Sequence, residues 1–162
     1  MKLILKAKNQ KLGNIYILSG SKTTKEFRGV LVPSLKYHQI RDTIIHFPEA
    51  IQVWNAEQNA TDTQKSSSLS THNKIIKDYL ELDLLIESES EIALSDANSS
   101  ISILDKYDRT GLGNWYIEII GQGLVVPDDF IEFEPYTIEW LPSSDPPNQI
   151  AIKKGVELVL QY

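Results

Sequence analysis

Cysteine is absent from the chain, which removes thiolate nucleophiles, cysteine-ligated zinc, iron–sulfur clusters and disulfides from the available chemistry. Long apolar runs are absent too. No segment approaches the roughly 20 residues of a membrane-spanning helix, and Leu3 to Leu5 falls well short of the about 7 to 15 apolar residues of a secretory signal. A cytoplasmic location with no membrane contact is therefore expected, and Asn59-Ala60-Thr61 and Asn98-Ser99-Ser100 read as chance triplets rather than glycosylation sites.

Histidine is scarce. His38 and His46 would stand about 12 Å apart along a helix axis, too far to share one ion, and His72 lies in a serine-rich stretch. No serine sits in Gly-x-Ser-x-Gly, and Gly111-Leu112-Gly113 and Gly121-Gln122-Gly123 lack phosphate-loop spacing and read as turns. No cofactor is expected.

What is present is an ordinary globular composition: 162 residues, 41% hydrophobic and 23% charged, enough to close a core without metal or cross-link. Net charge is −6, unevenly spread. Residues 1 to 70 hold ten Lys and Arg against five Asp and Glu, whereas residues 71 to 162 hold six against seventeen. Such asymmetry suits either docking of one half on the other or charged partners.

The chain also resembles itself. Leu12-Gly13-Asn14-Ile15-Tyr16-Ile17 recurs as Leu112-Gly113-Asn114-Trp115-Tyr116-Ile117, and Gly29 to Pro33 recurs as Gly123 to Pro127. More loosely, Pro48, Ile51 and Trp54 match Pro135, Ile138 and Trp140, and residues 76–84 match 152–160. The order of these matches predicts a duplication, with a first β repeat over 1–88, a second over 98–162, and a linker between them.

Apolar alternation makes strand the dominant state. Short β runs are expected around Leu3 to Leu5, Ile15 to Leu18, Val30 to Val32, Ile51 to Val53, Leu80 to Ile86, Ile101 to Leu104, Trp115 to Ile120, Leu124 to Val126, Ile138 to Trp140 and Val156 to Leu160. One helix, about 35–46, is expected from Tyr37, Ile40, Ile44 and Phe47, capped by Ser34 and stopped at Pro48. Residues 57–74 read as a flexible loop. The expected fold is mostly β: an internally duplicated β-sandwich or paired small β-barrels, packed as one pseudo-twofold unit with a helix inserted in the first repeat.

Three surfaces could bind. Tyr37 with Lys22, Lys25 and Arg28 pairs aromatic and cationic groups, as polyanion or nucleic-acid binding requires. Asp128, Asp129, Glu132 and Glu134 supply oxygen ligands suited to calcium or magnesium, hence a metal-dependent hydrolase. Glu81 and Glu157, matched in the two repeats beside Lys77 and Lys153, could mark equivalent contact surfaces. With no nucleophile–base constellation in view, the leading expectation is a non-enzymatic protein that recognises another protein, as an adaptor, assembly factor or acidic inhibitor.

Overall fold

Leu3, Leu5 and Ala7 alternate with polar or half-exposed neighbours and bury one face of the first strand, β1 (Lys2–Ala7). The computed structural model describes residues 2–58, 69–105, 117–128, 130, 133, 135–141, 149–154 and 157–161. In it β1 pairs antiparallel with β2 (Gln10–Ser21), and β2 with β3 (Glu26–Pro33). Lys8 and Asn9, at φ of 51° and 65°, form the mirror-image turn whose twist suits a two-residue hairpin. At the next turn Ser21 Oγ accepts the Thr23 and Thr24 N–H groups at 3.2 and 3.3 Å, and Lys25 takes a φ of 56°.

Two helices follow, α1 (Leu35–Gln58) and α2 (Leu69–Glu81), then β4 (Leu84–Ser88), β5 (Ser100–Asp105) and β6 (Ile117–Gln122). The six strands form one curled antiparallel sheet in the order β4-β1-β2-β3-β6-β5. Irregular register at Leu5/Lys6 and at Ile17/Ser19 marks bulges, which increase twist and bend a sheet. A separate three-stranded sheet holds β7 (Thr137–Leu141), β8 (Gln149–Lys154) and β9 (Glu157–Gln161).

The large sheet is covered on both faces. On one, Leu5, Ile15, Leu31, Ile86, Ile103 and Ile119 pack with Tyr37 and Ile44 of α1. On the other, Tyr16 and Val30 pack with Tyr136, just before β7, and with Ile152 of β8, the Tyr16 and Tyr136 rings meeting edge to face at 5.2 Å. The second-sheet segment is tied in by backbone too. The bulge leaves the Ile17 carbonyl open to the Tyr136 N–H at 2.6 Å.

The expected β-rich class holds, with 45% strand against 29% helix, but the helical share exceeds the one helix expected. Helix α1 does not stop at Pro48 and runs to Gln58, so Ile51 to Val53 is helical rather than a strand. Proline in a helix interior removes one hydrogen bond and crowds the preceding turn. Fully buried Ala50 and the packing of α2 along α1 offset that cost. Ser34 does precede the helix, yet its hydroxyl donates to the Lys11 carbonyl at 2.9 Å. Of the expected loop 57–74, residues 69–74 belong to α2, while 59–68 lie outside the described residues.

The expected strand over Leu80 to Ile86 is the end of α2 followed by β4, because its alternation crosses a helix boundary at Asp83, whose φ is 50°. Leu80 accordingly is 68% exposed. Residues 124–126 form no strand, and Gly121 and Gln122 belong to β6 rather than to a hairpin turn. The duplication is not shown: residues 76–84 are mostly helix where the described residues among their matches, 152–154 and 157–160, are strand, and Gly29 to Pro33 is strand where Gly123 to Pro127 is not. Strands β5 and β6 complete the sheet begun by β1 to β3, and the expected linker contains buried Leu94 and Ser95.

Truncating the chain after residue 95 removes β5, β6 and buried Ile103, Ile117 and Ile119, leaving β3 as a bare edge. The shortened chain is expected to lose cooperative thermal unfolding by circular dichroism; a sharp transition near that of the full chain would contradict this dependence.

Candidate functional site

The continuation of α1 beyond Pro48 adds Ile51 to the wall of an apolar hollow. Ile44, Phe47, Pro48 and Ile51 recur along one side of α1 at helical spacing and face β5 across an apolar crevice of about 190 Å³. Tyr79 of α2 closes one side, its ring stacked on Phe47 at 3.7 Å and 7°. The opposite wall is Ile101, Ser102, Ile103 and Leu104 of β5.

One end of this region is fixed by a polar cluster. Asp105, with its side chain 1% exposed, takes two hydrogen bonds from Arg41, Nε to Oδ2 at 2.8 Å and Nη2 to Oδ1 at 3.1 Å. The Tyr37 hydroxyl adds a third at 2.8 Å. The carboxylate raises the Arg41 guanidinium further above its ordinary range, chiefly through the hydrogen bond. The arrangement anchors the N-terminal half of α1 to the end of β5, and so sets the width of the crevice.

The residues expected to bind anions are brought together only in part. Lys22, Lys25 and Arg28 share the β2–β3 hairpin, but Tyr37 is fully buried under α1, on the other side of the large sheet from Arg28. Lys22 Nζ donates to the Asp128 and Phe130 carbonyls at 2.8 and 2.7 Å, pinning the turn closed by the Phe130 N–H to the Pro127 carbonyl. Lys25 is an exposed turn residue. Arg28 lies in a groove of about 480 Å³ that Ser19, Ser21, Thr24, Glu26 and Gln122 also line. Its guanidinium binds Glu118 at both oxygens, at 2.6 and 3.1 Å.

Glu81 ends α2 and lies 3.8 Å from Lys77 on an exposed face. Glu157 opens β9, and its side chain lies outside the described residues. Of the acidic set, Asp128 is an exposed turn residue, whereas Asp129, Glu132 and Glu134 lie outside the described residues. Among the described residues no group of three or more acidic or histidine side chains could hold a metal ion, and no helix is long and apolar enough to cross a membrane.

The crevice is not visible in the sequence reading because residues 57–74 read as a loop and Leu80 to Ile86 as a strand, where α2 spans Leu69–Glu81. The spacing of His72, Ile75, Ile76 and Tyr79, at i, i+3, i+4 and i+7, is the helical signal that would have found α2.

The Arg28–Glu118 pair is asymmetric, with side chains 52% and 4% exposed, so its two halves should respond differently to removal. Arg28→Ala removes the bidentate cation from a buried carboxylate and is expected to cost about 2 to 3 kcal/mol, the half-exposed cation discounting the usual penalty. Glu118→Leu removes the buried charge itself and leaves a half-exposed cation that water already reaches, so it should cost clearly less, as should the double variant; equal losses in urea unfolding would contradict the asymmetry.

Burial raises the Tyr79 phenol above its ordinary value of 10.0, and the Glu87 hydrogen bond raises the Lys6 ammonium above 10.5. Both groups bind their protons more tightly when folded, so their contribution is complete below the unfolded values and is lost as pH rises through the folded ones. Urea midpoints should hold to about pH 9.5 and then fall, less steeply in Tyr79→Phe, with Lys6 supplying the remainder. An identical fall in that variant would remove Tyr79 from the account.

No family model matches the chain, and neither a curated protein nor a solved structure matches it.

Proposed function

We propose that this is a non-enzymatic binding protein that recognises another protein. The observation that supports this reading is the crevice between α1 and β5, an apolar hollow of about 190 Å³ beside a strand with no outer neighbour among the described residues. Apolar hollows next to unpaired backbone suit protein segments, which bring both side chains and main chain. Adaptor, assembly factor and inhibitor are versions of this reading that differ in the partner. The net charge of −6, with its acidic excess in residues 71–162, favours a cationic partner through faster encounter.

The test is capture with the tagged full chain at low salt from an extract of the cells that make it, with and without nuclease. A stoichiometric, nuclease-resistant protein is expected, retained by the wild type and lost by Leu104→Lys, with an association rate that falls as salt rises. Nucleic acid recovered in its place would move the function to the β2–β3 hairpin. A chain that comes down alone would overturn the reading.

A further inference from the structure

We propose that β5 accepts an extended segment of another protein as an added strand, with an apolar side chain of that segment seated in the α1–β5 crevice. This deepens the protein-recognition reading and rests on it.

The composition of the crevice wall identifies the occupant. Four consecutive residues, Ile101 to Leu104, line it. Side chains alternate along a strand, so Ser102 and Leu104 point to the opposite face and reach the crevice through their backbone. The hollow is thus bounded by apolar side chains on the α1 side and, on the β5 side, by the Ile101 and Ile103 side chains together with the main chain at Ser102 and Leu104. A helical ligand has its own backbone bonds satisfied and can use only the apolar part of that wall; an extended segment can use the main chain as well.

The two edges of the sheet are treated differently. At β4 the chain folds back along the edge: the Leu94 N–H donates to the Ile86 carbonyl at 2.8 Å, the Ser88 N–H to the Ile92 carbonyl at 2.9 Å, and Ala93 bridges Glu87. At β5 no described residue does this. The strand reads Ser-Ile-Ser-Ile-Leu-Asp, without the lysine, proline or bulge that usually guards an edge. Its single charge, Asp105, is already held by Arg41 and Tyr37.

Register then sets the ligand's chemistry. Residues placed opposite Ile101 and Ile103 would face the crevice and should be apolar, while those opposite Ser100 and Ser102 meet small hydroxyl groups. Leu104, 38% exposed on that second face, offers an apolar contact at the far end. The six residues of β5 correspond to about 20 Å of extended ligand. A second copy's β5 fits poorly as occupant, because Ile103 is buried in its own core and leaves no free side chain to fill the hollow.

Random peptides of about twelve residues, displayed on phage, are selected against the full chain, and the best-enriched peptide is titrated by fluorescence anisotropy. Enriched sequences should lack proline and carry apolar residues at alternate positions. Binding should slow amide exchange over residues 100–105 and weaken at least about tenfold in Ser102→Lys/Leu104→Lys, since an edge lysine opposes strand addition. Both substitutions fall at exposed positions, and an unchanged melting temperature confirms the variant's fold.

Failure to enrich any peptide, apolar spacing of three and four, or affinity indifferent to the variant would overturn strand addition. A wild-type chain that sediments as a dimer and a variant that does not would also overturn it, giving the edge to a second copy. A protein captured stoichiometrically despite any of these results would leave protein recognition standing without this mode of docking.

Discussion

Pairing of β6 with β3 carries the second part of the chain into the sheet begun by the first, and the rest of the architecture depends on that ladder. It is secured by different chemistry on its two faces. On the helix side the Phe27 ring lies over Gly121, where a Cβ would come within 2.6 Å of it, so only glycine keeps the ring in place. On the opposite side Arg28 reaches diagonally across to Glu118. The ring supplies buried apolar area, whereas the ion pair supplies register: a slip of one residue would turn Glu118 into the helix-side core, away from its cation.

With β6 held, β5 lies along its outer side and under α1, and the crevice follows from the meeting of those two elements. A helix that ended at Pro48 would take Ile51 out of the crevice wall. Packing of α2 against α1 keeps the helix intact through the proline, and the Phe47–Tyr79 stack stands at the junction. The hollow is therefore a product of local sequence working against local propensity, with tertiary contact deciding the outcome.

The strands that pack one face on the core were legible from alternation: Leu3, Leu5 and Ala7 in β1, Ile101 and Ile103 in β5, Ile138 in β7. Errors gathered where an apolar period crossed a boundary. Leu80, Leu82, Leu84 and Ile86 keep a period of two although the first belongs to a helix, and periodicity over so few residues cannot separate the two states. Proline at 48 was given the weight of a stop, which holds for an isolated helix and fails for one covered by another. The basic hairpin was visible as a cluster of charges. What could not be read is that Lys22 serves the carbonyls of Asp128 and Phe130 and Arg28 a carboxylate about ninety residues away, because such partners are set by the fold alone.

The strand order also has a consequence for synthesis on the ribosome. The β1–β2–β3 meander is local in sequence and can form early, but its outer neighbours are β4 and β6, which emerge only after residues 88 and 122. Until then both sides of the meander are uncapped, and the β3 side stays so the longer. The nascent chain thus passes through an interval in which its most β-prone segment has two open edges while the helices that will cover one face are being made. Lysines at 6, 8, 22 and 25, together with Arg28, lie along this early meander and at its turns, a placement of like charge of the kind that opposes edge-to-edge pairing.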